Sequence, residues 1–220
     1  GMKAHVLIRF GKWQEILDEP LPEDPELFCV THAVWQYAKG IAYAVLGNID
    51  TALEQQQLLR KAVGALPEDR IVFQNDARDI LAVAGPMLAG ELEYRRGNYD
   101  IAFSHLRKAV ELYDDLNYSE PWSWMMPPRH ALGALLLEQN YVDEATAVYR
   151  ADLGLDDTLV RPSQHPDNIW SLVGYAECCE RSGDLKTLEE IRPELEKARG
   201  IADHSIDVSS FCRIGHACCD

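Results

Sequence analysis

Apolar positions recur at helical spacing along most of the chain, and residues 87–112 show the pattern most clearly. Their sequence, MLAGELEYRRGNYDIAFSHLRKAVEL, predicts two amphipathic helices that fold back on each other at Gly97. Gly90 and Ala102 are small, as two closely packed helices require where they face each other. Glycine tolerates the left-handed conformation that ends a helix, and Asp100 suits the positive end of the next helix dipole.

The same spacing returns in three other stretches, with a turn residue seven positions after the first small residue and a further packing position five residues later. These sets are Gly40, Gly47 and Ala52; Gly133, Asn140 and Ala145; and, less faithfully, Ala176, Gly183 and Leu188. Asparagine also adopts the left-handed conformation readily, so Asn140 is expected to replace the turn glycine. Gly11 is expected to act as the turn residue of a shorter N-terminal unit.

This spacing predicts a single domain over residues 1–220, built from helix pairs. A partial unit at 2–19 is followed by pairs at about 26–66, 75–114, 127–153 and 167–199, and by a cap or tail at 200–220. The first helix of the partial unit lacks its opening turn, which favours a piece cut from a longer protein. A native start with a short capping helix is the alternative.

Prolines and inserted residues interrupt the pattern. We expect a spacer after Leu66. In the helix that follows this spacer, we expect a kink at Gly85–Pro86. Pro193 is expected to interrupt the last helix, because proline supplies no backbone donor. The insert 118–128 carries Trp122 and Trp124 between prolines and is expected to be an irregular loop.

The helix-pair unit resembles the tetratricopeptide repeat (TPR) in its glycine, tyrosine and alanine positions. Units of this kind bury their apolar faces by stacking on one another. The resemblance implies an all-α fold, a TPR-like right-handed superhelix of antiparallel helix pairs with irregular inserted loops.

A further resemblance covers roughly residues 81–179, which are similar to a module that closes longer TPR-domain proteins of undefined function. It is carried by LAGELEYRRGNYDIAFSHLRKAVELYDDL, EPWSWMMPPRHALGALLLE, VYRADLGLD and HPDNIWSLVGYAEC, with RFGKW near Arg9 fitting the start. The family's version of the last motif has histidines where this chain has Val173 and Ala176, which weakens a metal site on that helix. The resemblance implies an architecture and no established activity.

Composition narrows the expected partners. With 47% hydrophobic and 26% charged residues, the chain has the profile of a soluble protein. It has no apolar run of roughly 18 residues and no signal segment, so we expect a cytoplasmic protein without membrane contact. The formal net charge of −15 argues against nucleic acid as a partner. The six cysteines include two adjacent pairs and form no CxxC motif, which favours reduced thiols.

In TPR proteins the first helix of each repeat lines a concave groove, and the resemblance places candidate ligand contacts on these helices and on the loop between them. They are Tyr37, Glu91, Tyr94, Arg95, Trp122, Trp124, Arg129, His130, Trp170 and Glu177. The lysine and asparagine clamp that binds a terminal carboxylate in some TPR proteins is missing from these positions. The two tryptophans either fold over the groove as part of a pocket or fill the gap between repeats.

The leading hypothesis is a scaffold or adaptor that binds a protein or peptide partner in this groove. The alternative is a small-molecule or metal-binding pocket in the same groove, possibly with hydrolytic chemistry. A third hypothesis is a structural segment that associates with itself through its N-terminal edge.

The sequence gives weaker support for a metal-binding or catalytic site. His130, His165, Glu91 and Glu177 are candidate zinc or iron ligands, but no HxxxH or HExxH spacing supports them. The cluster Cys212, His216, Cys218 and Cys219 also has ligand chemistry. The sequence has no Gly-x-Ser-x-Gly elbow and no phosphate-binding glycine loop. It therefore favours a binding protein over an enzyme, and no cofactor or catalytic residue is expected.

Overall fold

The computed structural model describes residues 1–213 and is predominantly helical. The chain divides into two compact units, residues 1–128 and 129–220. The sequence predicts a single domain over the whole chain, and this remains a prediction. No helix in the described part of the chain is both long enough and apolar enough to cross a membrane. His216, Cys218 and Cys219 lie outside the described residues.

The first unit consists of helix pairs and one small hairpin. Its elements are α1 (Met2–Arg9), α2 (Trp13–Asp18), α3 (Cys29–Val45), α4 (Ile49–Gly64), β1 (Ile71–Val72), β2 (Asn75–Asp76), α5 (Ala77–Ala82), α6 (Ala84–Arg95) and α7 (Tyr99–Asp114). Helix α3 packs on α4, α6 packs on α7, and α3 also packs on α6. The antiparallel strands pair Ile71 with Asp76 and Val72 with Asn75.

The second unit consists of helices and irregular segments. Its elements are α8 (Pro128–Glu138), which begins at the last residue of the first unit, α9 (Val142–Leu153), a 3-10 turn (Arg161–Ser163), α10 (Ile169–Ser182) and α11 (Leu185–Ile201). Helix α10 packs on both α9 and α11. Residues 202–213 continue from α11 without helix or strand.

The predicted turn residues all adopt the left-handed conformation. Their φ angles are 63° at Gly11, 82° at Gly47, 80° at Gly97, 65° at Asn140 and 76° at Gly183. Each is followed by a backbone N–H that reaches the carbonyl five residues earlier, as in the bond from Asn98 N to Glu93 O at 2.9 Å. This is the Schellman arrangement that ends a helix, and it confirms the turn predictions.

Close helix packing accounts for the glycines in the helices. A Cβ on Gly40 would lie 2.7 Å from Leu88 Cδ2, and one on Gly90 would lie 2.7 Å from Leu106 Cγ. The close-packing prediction is confirmed at Gly90, because Leu106 lies on the paired helix α7. Gly40 is closest to α6, whereas its paired helix α4 approaches it at ordinary contact distance, 3.4 Å at Gln55 Cβ. Gly174, which the spacing argument did not single out, is equally tight against Tyr149.

The structure corrects several local expectations. The expected spacer contains the hairpin of β1 and β2. Helix α5 ends at Ala82 and α6 begins at Ala84, so the break lies upstream of Gly85–Pro86. Pro86 has no N–H to donate to the Ala82 carbonyl, which explains that position. The interruption expected at Pro193 is wrong, because α11 continues through this exposed residue.

Within the described part of the chain, Cys29, Cys178, Cys179 and Cys212 form no disulfide, and Cys178, Cys179 and Cys212 are buried.

Candidate functional site

The candidate site is one face of α10 in the second unit. Asn168 caps this helix, and its Oδ1 accepts a hydrogen bond from Ser171 N at 2.9 Å. Trp170, Val173 and Glu177 follow at positions i, i+3 and i+7, so they share one side of the helix. We call these three residues the α10 face. Trp170 and Glu177 were expected from the sequence to line a groove.

Residues 206–213, called here the C-terminal segment, lie against the α10 face. Phe211 packs on Trp170 with ring centroids 6.0 Å apart and planes at 74°, an edge-to-face contact. Arg213 donates to both carboxylate oxygens of Glu177, at 2.6 Å from Nη1 and 3.2 Å from Nη2. This paired geometry is the strong form of an arginine–carboxylate interaction.

A third contact with the C-terminal segment is made by a side chain that lies between two helices. Tyr149 of α9 lies between Gly133 of α8 and Gly174 of α10, where a methyl group on either glycine would overlap its ring. Its hydroxyl forms a hydrogen bond with Ser209 of the segment. Burial raises the pKa of this hydroxyl well above its ordinary value, so Tyr149 remains a neutral hydrogen-bonding group.

A cleft of about 510 Å³ adjoins the segment. Helices α10 and α11 form its walls, together with Asp207 and Arg213 of the segment. Its acidic side chains include Glu177, Glu180 and Glu196. The α10 face therefore extends beyond the C-terminal segment into a cleft that is lined by charged side chains.

The two histidines proposed as metal ligands do come together, but on a carboxylate. Asp152 is fully buried, and it accepts hydrogen bonds from His130 Nε2 at 3.0 Å and His165 Nδ1 at 2.8 Å. Ser171 Oγ donates to it at 2.6 Å and Asn168 Nδ2 at 3.0 Å. These bonds connect α8, α9, α10 and the loop before α10.

The chemistry of this cluster is structural. Burial alone would raise the pKa of Asp152, but the charges and hydrogen bonds of His130 and His165 outweigh it, and the pKa lies well below its ordinary value. His130, His165 and Ser171 are each at most 4% exposed, so a substrate has no access. Ser171 bonds to the carboxylate and not to an imidazole, unlike the nucleophile of a catalytic triad.

The other two proposed ligands lie elsewhere, because Glu177 binds Arg213 and Glu91 accepts from Arg95 Nε at 2.7 Å within α6. Among residues 1–213, no group of three or more His, Cys, Asp or Glu side chains is arranged to hold a metal ion.

The sequence analysis missed Asp152. A signal was present, because Asp152 follows Ala145 and Tyr149 at helical spacing, on the side of α9 that is buried. A carboxylate on an apolar stripe requires buried donors. Two histidines and an asparagine nearby in the sequence could have supplied them.

In the first unit, Tyr37 and Trp124 are both fully buried, with ring centroids 5.1 Å apart. His5 packs edge-to-face on Trp124 at 4.6 Å. Trp122 is 39% exposed. The two tryptophans therefore differ, since Trp124 fills the core and Trp122 lies at the surface.

Most of the other predicted contacts are also inside their units. Tyr94, Glu91, Arg129 and His130 are each at most 5% exposed. The Arg95 side chain is 8% exposed, and its guanidinium lies 5.9 Å from the ring centroid of Tyr94. Trp170, Glu177 and Trp122 are the predicted contacts that retain most surface. A role in ligand binding stays a prediction for all ten residues.

Comparison with known proteins gives no match, whether with protein-family models, with curated proteins or with solved structures.

Proposed function

We propose that this chain is a TPR-like helical-repeat module, with its helix pairs in a right-handed superhelix, that binds a protein or peptide partner on the α10 face. The observation that carries this proposal is the C-terminal segment on that face. A non-helical stretch of polypeptide is held there by side chains of α9 and α10. The function is that of a scaffold or adaptor.

The α10 face combines the features that peptide recognition requires. Trp170 offers a large, half-buried aromatic surface, and tryptophan is enriched among residues that dominate binding energy. Glu177 offers a carboxylate whose side chain is only 21% exposed, so that its interaction with a cation is less screened than at the surface. The cleft between α10 and α11 gives a bound chain room to continue.

A selection from displayed random peptides tests this proposal. The baits are the wild-type protein and the full-length double variant Phe211→Ala/Arg213→Ala, which weakens the hold of the C-terminal segment. Selected peptides are then measured by fluorescence anisotropy. We expect Trp170→Ala or Glu177→Lys, introduced into the bait that selected the peptide, to weaken binding at least tenfold, or about 1.4 kcal/mol.

The matched control is Glu190→Lys, the same charge reversal on a side chain of α11 that is 61% exposed. It is expected to leave affinity unchanged. The proposal is wrong if neither bait selects a peptide, or if the selected peptides bind all of these variants equally well.

A further inference from the structure

We infer that the C-terminal segment is an intramolecular ligand of the α10 face, and that the external partner is a peptide segment with the same chemistry. That chemistry is a hydroxyl side chain, an aromatic residue two positions later and an arginine two positions after that. Ser209, Phe211 and Arg213 provide these groups in the segment itself. The inference rests on the proposed function, since it names the partner of the same face.

Each of the three groups meets a specific counterpart. Ser209 bonds to the Tyr149 hydroxyl, Phe211 packs on Trp170, and Arg213 forms its two bonds with Glu177. Loss of the segment would leave the buried hydroxyl of Tyr149 without Ser209, and a buried polar group without a partner is costly. A competing ligand must therefore supply a hydrogen-bonding group at this point as well as an aromatic ring and a cation.

Side chains hold the segment in place, and those of Ile206, Val208 and Cys212 are buried. Within the described residues, its backbone makes one backbone–backbone hydrogen bond, from Arg213 N to Ser210 O, which is internal to the segment. Its attachment to α9 and α10 is therefore through side chains, without a shared ladder of main-chain bonds. Opening of the segment would leave the main-chain bonds of the helices intact, but it would expose the buried side chains of Ile206, Val208 and Cys212.

Charge favours a cationic ligand over an anionic one. The helices that line the cleft contribute Glu177, Glu180 and Glu196 together with Arg192 and Arg199, and the segment contributes Asp207 and Arg213. The chain as a whole has a formal net charge of −15. Complementary charge accelerates the approach of an arginine-containing peptide and disfavours acidic ones.

The experiment titrates a fluorescein-labelled synthetic peptide of residues 203–213, with serine at the position of Cys212, into full-length protein. Wild type is expected to bind it weakly, because its own segment occupies the face. Phe211→Ala/Arg213→Ala is expected to bind it at least tenfold more tightly. A peptide of the same composition in scrambled order is the control.

A charge exchange tests the pairing directly. Adding Glu177→Arg to the double variant is expected to abolish binding of the peptide. A second peptide with glutamate in place of its arginine is expected to bind this triple variant and not the double variant. Glu190→Lys in the double variant is expected to change neither result.

A measurement on wild-type protein covers the case in which the variants do not fold. Amides of residues 206–213 are expected to exchange hydrogen at least tenfold faster than the slowest amides of α10. Exchange of the segment at the rate of the α10 core would overturn the inference, because the segment would then be a fixed part of the fold. Failure of the peptide to bind a folded double variant would overturn it too.

The outcomes separate the two proposals. Random peptides that bind the α10 face while the 203–213 peptide does not would leave the proposed function standing and remove this inference. If neither kind of peptide binds, both are wrong. A dimer of wild-type protein in light scattering that the 203–213 peptide dissociates would assign the segment's site to a second copy and overturn the intramolecular assignment.

Discussion

In each unit, an irregular segment of the chain packs on a helix that was predicted to line the groove. We call these two segments the covers, and their contacts differ in chemistry. In the first unit, the loop at 117–127 inserts Trp124 against Tyr37 and His5. In the second unit, the C-terminal segment lies on α10 through paired polar groups and one aromatic contact. We call the first cover the plug, because its contacts are hydrophobic. We call the second the latch, because it combines the buried apolar side chains of Ile206, Val208 and Cys212 with these hydrogen bonds.

Buried polar atoms without a hydrogen-bond partner occur at both covers. Arg213 Nε in the second cover is buried without a hydrogen-bond partner within the described structure, and so are His5 Nδ1 and Trp124 Nε1 at the first. The contact that joins His5 and Trp124 is therefore aromatic packing, and its contribution grows with the area removed from water. Tyr149 and Glu177, by contrast, have hydrogen-bond partners: Tyr149 bonds to Ser209, and Glu177 accepts from Arg213 and also from Arg181 of α10. Both covers place side chains in the core, and the second adds specific hydrogen bonds to that packing.

The largest expected effect comes from removing the plug. Trp124→Ala leaves a cavity among Tyr37 and His5, and deletions of this size cost about 3–5 kcal/mol. We expect the free energy of unfolding to fall by that amount in urea titrations monitored by circular dichroism. Trp122→Ala, at a residue 39% exposed, is the control and is expected to cost below about 1 kcal/mol. Equal losses in the two variants would mean that the loop is not a plug.

Acid is expected to weaken the same region. Burial, followed by the charges of the N-terminus and Arg9, lowers the pKa of His5 from 6.5 to about 3. The unfolded chain therefore binds more protons between these values, so stability is complete above pH 6.5 and is lost as the pH falls toward 3. At pH 5 the loss from this group is about 2 kcal/mol, since one pKa unit corresponds to about 1.4 kcal/mol.

The His5→Phe variant isolates this contribution, because phenylalanine preserves an aromatic ring against Trp124 and does not titrate. Urea titrations between pH 7 and 5 are expected to show a shallower loss of stability for this variant than for wild type. The lowered pKa of Asp152 acts only below its ordinary value of 3.8 and so does not contribute in this range. Parallel pH profiles for the two proteins would contradict the assignment to His5.

Local features of this fold follow from the sequence, and long-range ones do not. Gly97, Asn140 and Gly183 end helices through conformations that depend on a few neighbouring residues, so spacing alone predicted them. Asp152 depends on His130 and His165, which are 22 and 13 residues away and meet it only when α8, α9 and α10 pack. The positions of these donors and of their acceptor in the sequence give little indication that the side chains will be in contact.

The course of the C-terminal segment was beyond prediction for a related reason. Its residues have no helical or strand periodicity, and the prediction for 200–220 was limited to a cap or tail. The contact between Tyr149 and Ser209 spans 60 positions and depends on the gap that Gly133 and Gly174 leave between two helices. Gly133 was identified from spacing, while Gly174 and the hydroxyl that reaches through the gap were not.

The smallest expected effect sharpens the contrast between latch and plug. Tyr149→Phe keeps the ring between Gly133 and Gly174 and removes only the hydroxyl that bonds to Ser209. We expect the free energy of unfolding to fall by about 1 kcal/mol, the usual value for one hydrogen bond. Hydrogen exchange at residues 206–213 is expected to accelerate about fivefold, while α3 and the loop at 117–127 stay unchanged. Uniform acceleration in both units would mean that Tyr149 supports the fold in general, and the latch would have no separate stability.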